Sequence, residues 1–246
     1  MCKIVKRGYV QTDRQEFNAI SMEKLDKAGV DMLYLINQSY NLKSSLTFIG
    51  NHYLLSTRQR LSLMRALSSK EAINIRKAKE VVGKRGIIKL RDSTVHIDGF
   101  NTIITLEVAL SNSLILKCMD GTYRDLAGLR GTYHVIDKTE LAIVLIGKEL
   151  ERLKIKKAIF FIDAPVSNSG KLKEKILEEL RIYNFDVEVN NINNVDSVLE
   201  KLDNVITSDS IILDHCKSWF NLNKNIIEND IINSMCIDFN KIVGGG

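Results

Sequence analysis

The sequence predicts an α/β protein in which a small all-helical N-terminal domain, residues 1–88, precedes a mainly parallel sheet with helices on both faces, residues 89–246. Three observations predict it. Apolar residues in the first 85 positions recur near the i, i+3, i+4 spacing of a helical face, with no proline among them. After Gly86, short apolar runs alternate with helical stretches, the pattern of a parallel sheet covered by its crossover helices. The charge divides at the same place. Residues 1–92 hold 18 basic and 8 acidic residues, a balance of +10, and the remainder holds 17 basic and 22 acidic, a balance of −5.

In the first part, Asp13 to Tyr40 carries Phe17, Ile20, Leu25, Ala28, Met32, Leu33 and Ile36 on a helical spacing, with Gly29 as a point where it divides into two. Ser56 or Thr57 caps a helix bearing Leu61, Leu63, Met64 and Leu67, and Ser68 or Ser69 caps another. Arg58, Arg60 and Arg65 fall on the first of these, Arg76 and Lys77 on the second. In the second part the expected strands are Ile87–Leu90, Thr94–Asp98, Leu114–Met119, Ala158–Asp163, Asp186–Val189 and Val205–Thr207. The expected helices are Glu140–Leu153, Leu172–Tyr183, Asp196–Leu202 and Ile211–Phe220. Asp120-Gly121 has the composition of a hairpin turn, so Leu114–Met119 belongs to a local antiparallel excursion.

Several classes are excluded. Hydrophobic residues make up 45% and charged residues 26% of the chain, which rules out wholesale disorder. No apolar run reaches the ~18 residues of a membrane span, and the first residues lack the apolar stretch of a secretory signal. Cys2, Cys118, Cys216 and Cys236 contain no Cys-x-x-Cys pair and read as free thiols of a reducing cytoplasm. His52, His96, His134 and His215 lack metal-site spacing. Ser167–Leu172 resembles a phosphate loop but has Pro165 at the first glycine and Leu172 at the final Ser/Thr.

Chemistry is suggested by where the aspartates fall. Asp98 ends Val95-His96-Ile97-Asp98, Asp163 ends Ile159-Phe160-Phe161-Ile162-Asp163, and Asp209 follows Val205-Ile206-Thr207-Ser208. Asp196 opens the helix before that last strand. Open α/β sheets bind ligands outside the carboxyl ends of their strands. Carboxylates gathered there repel one another unless a hard cation neutralises them, and Mg²⁺ or Mn²⁺ suits an oxygen-only set. Such ions clamp phosphoryl oxygens and activate water. The alternative reading has each acid capping a helix or starting a turn.

These motifs resemble the NYN branch of PIN-like nucleases. Ile97-Asp98-Gly99-Phe100-Asn101 is similar to their opening Asp-Gly-x-Asn strand end, Val195-Asp196-Ser197 to their later helix start, and Thr207-Ser208-Asp209 to their strand-end turn. The resemblance covers residues 94–220. It implies a PIN/NYN-like fold and a metal-dependent ribonuclease. Asp98, Asp196 and Asp209 would then hold Mg²⁺ or Mn²⁺, Asn101 would orient Asp98 or a metal-bound water, and Asp163 would be a second-tier member. By position alone, Glu140 and Asp214 either join that tier or serve, respectively, as a first-turn acid on its helix and as a solvent or packing residue. Along its whole length the sequence also resembles an uncharacterised archaeal and clostridial family that joins a small helical domain to a second domain of this type.

The basic half suggests a nucleic acid partner, RNA before DNA, with Arg58, Arg60, Arg65, Arg76 and Lys77 on its phosphates. The competing reading is that these residues hold the acidic half. Arg124 and Arg130 lie in a turn-rich insertion that is either a phosphate-binding lid or a surface hairpin. Two functional alternatives stand beside the nuclease: a non-catalytic RNA-binding or interaction protein on the same fold, and a small-molecule phosphohydrolase.

Overall fold

The computed structural model describes residues 5–128, 131–231 and 234–243. Six helices come first: α1 (Asp13–Glu16), α2 (Ala19–Asn37), α3 (Leu42–His52), α4 (Thr57–Ala66), α5 (Lys70–Lys79) and α6 (Gly83–Leu90). There follow β1 (Thr94–Asp98), α7 (Gly99–Leu110), β2 (Leu114–Lys117), β3 (Tyr123–Asp125) and α8 (Asp137–Arg152). Next are β4 (Lys157–Asp163), α9 (Ser169–Leu180), β5 (Asp186–Ile192), α10 (Val195–Leu199), β6 (Val205–Ile206) and α11 (Ser210–His215). The last described elements are α12 (Leu222–Asp230), β7 (Met235–Asp238) and α13 (Phe239–Val243).

Polar caps start the N-terminal helices. Asn18, Asn41, Ser56 and Ser69 each accept a backbone N–H of the first turn, and Ser56 forms a reciprocal capping box with Gln59. Gly29 does not divide its helix. It is buried in the middle of α2.

A four-stranded sheet runs in the order β5-β4-β1-β6 with every pairing parallel. Helices flank it. Ile97 and Phe160 on its central strands are fully buried, and each such side chain stabilises the fold by roughly 1.5–3 kcal/mol relative to exposure. A second sheet, β3-β2-β7, pairs β2 with β3 antiparallel across the Asp120-Gly121 turn and β2 with β7 parallel. Gly121 has φ +83°, a conformation that suits glycine. The N-terminal helices pack on this second sheet, with Leu25, Met32, Leu63 and Leu67 sharing one core with Leu114, Leu116 and Phe239.

Two expected elements are corrected, and the first is the helix expected over Ile211–Phe220, which stops at His215. Ile87–Leu90, expected as a strand, is the end of α6. Ile88 is 67% exposed whereas Leu90 is buried and Ile87 packs against the core, so the buried positions are three apart, a helical spacing. The structure also contains α7, which was not expected. Nearly all its residues are buried between the two sheets, so it has no polar stripe from which a helical period can be read. No helix among the described residues is long and apolar enough to cross a membrane.

Gly147 marks the tightest seam of the main core. A Cβ there would run into the ring of Tyr183 and lie 2.8 Å from Leu180 Cδ2. Displacing the ring would cost the hydrogen bond that the Tyr183 hydroxyl donates to Val144 O at 3.1 Å. Gly147→Ala should therefore destabilise the protein by ~1–3 kcal/mol despite the better helix propensity of alanine, measured by urea unfolding.

Candidate functional site

The order of the parallel sheet locates the site. The chain leaves β1 for β4 and β5 on one side and returns to pair β6 on the other. The direction of winding thus reverses between β1 and β6, and a crevice opens outside their carboxyl ends. Asp98 ends β1 at this crevice, and Thr207-Ser208-Asp209 leave β6 beside it.

Side-chain bonds tie the two turns together. Asp98 Oδ1 accepts the Asn101 N–H at 3.3 Å, capping α7, and Oδ2 accepts the Thr207 hydroxyl at 2.8 Å. Asn101 Oδ1 accepts the Ser208 N–H at 2.9 Å and its hydroxyl at 2.7 Å. Asp209 Oδ1 caps α11 by accepting the N–H groups of Ile211 and Ile212. Asp98 and Asp209 therefore do cap helices, and capping is what fixes their positions at the crevice.

Asp163 at the end of β4 and Asp196 in the first turn of α10 reach the same place. With Asp98, Asn101 and Asp209 they line a cleft of about 210 Å³. Two further charged residues complete it: Asp125, at the end of β3, and Arg65 of α4. Asp125 was not foreseen as a site residue, although it obeys the same rule of an acid closing a strand. Its Oδ2 accepts the Thr105 hydroxyl and its Oδ1 the Ala127 N–H, and Arg65 lies 3.5 Å from Oδ1.

The crowding shows in the acidities. Burial pushes the Asp98 carboxyl up to about 7; the Thr207 and Asn101 hydrogen bonds oppose this, and the charges of Asp209 and Asp196 add to it. Asp163 is raised by burial. Asp196 reaches solvent at the rim yet is raised, first by partial loss of its water and then by Asp209 and Asp163. Among the described residues, no set of three or more His, Cys, Asp or Glu side chains is arranged to grip a metal ion. The donor chemistry nonetheless suits a hard cation that keeps much of its water. Mg²⁺ is commonly held by one or two carboxylates and the phosphates of its substrate.

The profile of a domain of unknown function, DUF5616, covers residues 87–225, more than half of the chain. The chain belongs to the DUF5616 family. Its DUF5616 region contains all five cleft carboxylates and Asn101. A second profile, a protein of unknown function, DUF434, covers residues 24–79 and so supplies Arg65. The uncharacterized protein MJ0935 of Methanocaldococcus jannaschii is 36% identical over 192 residues, which are 77% of this chain and 88% of that protein. No solved structure matches the chain.

Other expected site residues lie elsewhere. Glu140 is exposed on α8 and pairs with Lys175 at 3.2 Å, away from the DUF5616 cleft. Asp214 accepts both Nε and Nη2 of Arg76. Arg58, Arg76 and Arg124, expected on phosphate, are corrected, because each is committed inside the protein. Arg58 grips Asp13 and donates to Leu126 O and Gly8 O. Arg76 and Arg124 are buried and both donate to Asp120 Oδ2. Arg124 also donates to Ser208 O and Arg65 O, so it is neither on a lid nor on a surface hairpin. Arg60 bonds to Leu55 O and to Asn51. Lys77 is exposed on α5, and Arg130 lies outside the described residues.

Asp120 gives a sign-definite pH dependence. Burial alone would raise its carboxyl, but Arg124, the Thr122 hydroxyl and Arg76 outweigh burial and lower it from 3.8 to about 2. A carboxyl lowered in the folded state contributes stability above its unfolded pKa and loses it as pH falls through the folded value. The stability difference between wild type and Asp120→Asn should be fully present above about pH 4 and shrink by ~2 kcal/mol as pH approaches 2. Urea unfolding across that range measures it.

Proposed function

We propose that the DUF5616 cleft hydrolyses phosphodiester bonds of nucleic acid, RNA before DNA, with Mg²⁺ or Mn²⁺ as the cation. One observation carries the reading. Asp98, Asp125, Asp163, Asp196 and Asp209 come from five separate elements to one cleft at the switch point of a parallel sheet, where Arg65 is the one cation among the described lining residues. The likeness of Asp98-Gly99-Phe100-Asn101 and Thr207-Ser208-Asp209 to the strand ends of PIN/NYN-like nucleases supports it.

In this reading one or two of Asp98, Asp196 and Asp209 would hold the cation directly and the others through its water, with Asp163 beside them. The bound ion would supply charge stabilisation at the phosphoryl oxygens and a more acidic water. The remaining roles belong to the chain itself. Thr207 and the Asn101 N–H hold both oxygens of Asp98 in place. Ser208 engages the Asn101 oxygen, so the group Asn101 has to offer is its amide NH₂. Asp125 steadies Arg65 at the rim, where the guanidinium can meet a phosphate. Buried Phe100 and Ile104 wall the cleft and limit its water.

Mixed RNA and DNA incubated with Mn²⁺ tests this. Asp98→Asn and Asp209→Asn should each lower cleavage by more than about 100-fold, and Asn101→Ala by about 10–100-fold, the scale of a lost supporting group. The metal-free Asp98→Asn protein should melt no lower than wild type, because the exchange relieves a buried carboxylate of its like-charged neighbours. Undiminished cleavage by Asp98→Asn refutes the proposal. Cleavage of small phosphoesters alone points to a small-molecule phosphohydrolase instead.

A further inference from the structure

The DUF5616 cleft is one end of a longer groove. A hollow of about 400 Å³ adjoins it and shares Arg65, Asn101, Asp125 and Asp209 with it. This hollow runs on between Leu42 of α3, Met64 of α4 and Ile211 of α11. A third hollow, about 270 Å³, shares Leu42, Met64, Arg65, Arg124 and Ser210 with the second and adds Tyr40 together with polar residues that include Arg76 and Asp214. Tyr40 is 62% exposed and Ile211 55%; Leu42 and Met64 are each 36% exposed. Apolar side chains gathered along one concave wall mark a surface that receives something.

The chemistry changes along the groove in a definite order. Carboxylates and the Asn101 amide come first, then Leu42, Met64 and Ile211 with the hydroxyl of Ser210 among them, then Tyr40 on a wall that also carries Ser68, Ser69 and the Arg76–Asp214 pair. Arg65 stands at the junction with about a third of its side chain exposed. Arg124, which also borders the groove, has its guanidinium committed to Ser208 O, Arg65 O and Asp120. A ligand matching this order carries a phosphodiester, then a flat ring with apolar faces and a polar edge.

We propose that this groove seats one unpaired nucleoside of the polynucleotide whose phosphate lies among the carboxylates, so that the substrate class is single-stranded nucleic acid. The assignment rests on the hydrolytic reading of the cleft and adds to it a role for the DUF434 region, which supplies Tyr40, Leu42, Met64 and Arg65. Aliphatic and aromatic contacts accept any base through its flat face, so recognition is tolerant of sequence. A base paired within a duplex keeps its faces stacked and cannot enter.

The test uses an end-labelled single-stranded oligoadenylate in Ca²⁺, read by fluorescence anisotropy, with the same strand annealed to its complement for comparison. The full-length protein should bind the single strand more tightly than the duplex. Met64→Ser, Ile211→Ser and Tyr40→Ala each alter an exposed side chain. Each should weaken single-strand binding about tenfold, the scale of one lost base contact, while calorimetric Mn²⁺ binding and the melting temperature hold. Unchanged single-strand affinity in all three variants, with Mn²⁺ binding intact, overturns the groove assignment and leaves the cation site standing. Groove-dependent strand binding with no Mn²⁺ binding overturns the hydrolytic reading and leaves the groove standing. Equal affinity for duplex and single strand overturns the assignment of substrate class.

Discussion

The buried contact of Asp120 with Arg76 and Arg124 is the interaction on which the rest of the structure depends. Asp120 sits in the β2–β3 turn, Arg76 comes from α5, and Arg124 from β3. Arg76 then reaches Asp214 of α11, and Arg124 reaches the carbonyls of Ser208 and Arg65. One carboxylate thereby joins the helical region, the second sheet and the turn after β6. Taking these charges out of water costs several kcal/mol per ion, and the pairing offsets that cost only because nearly every donor finds a partner. Loss of one member would leave a buried charge uncompensated, an effect of about 3–5 kcal/mol. Ser208 is held on one side by Arg124 and on the other by Asn101, so the network passes its rigidity to the cleft.

The cleft itself is the opposite case. Asp98 is buried beside like charges, and its proton affinity rises accordingly. The surrounding fold tolerates this because β1 lies between β4 and β6 in a sheet whose inner residues are fully buried. Asp98 ends that central strand and is held by Thr207 and Asn101. A gathering of carboxylates with so little internal compensation is what a site for an external cation requires.

Legibility in the sequence followed the physics of each element. β1, β4 and β6 were readable because buried parallel strands are short apolar runs, and the Asp at or just after the end of each placed the acids at one edge; β5, an edge strand, showed only in its alternating Val187 and Val189. Helix α7 was not readable, because burial on every side erases the period that reveals a helix. The run Ile87–Leu90 was too short for its period to separate strand from helix. Charge counting failed at the arginines for a related reason. It registers that Arg58, Arg76 and Arg124 are basic, but their partners Asp13, Asp120 and Asp214 are fixed only by tertiary packing. Asp125 was legible in type but hidden in a turn-rich stretch, where a strand of three residues leaves no period.

The central claim is that the carboxylates at the switch point hold a divalent cation. Crystals grown with Mn²⁺ and measured at the manganese absorption edge test it most directly. The account predicts an anomalous peak in the cleft, in contact with at least one of Asp98, Asp196 and Asp209 directly or through ordered water, and its loss in Asp98→Asn. A fully Mn²⁺-equilibrated crystal with an open cleft and no peak there, or with its peak at another site, would contradict it.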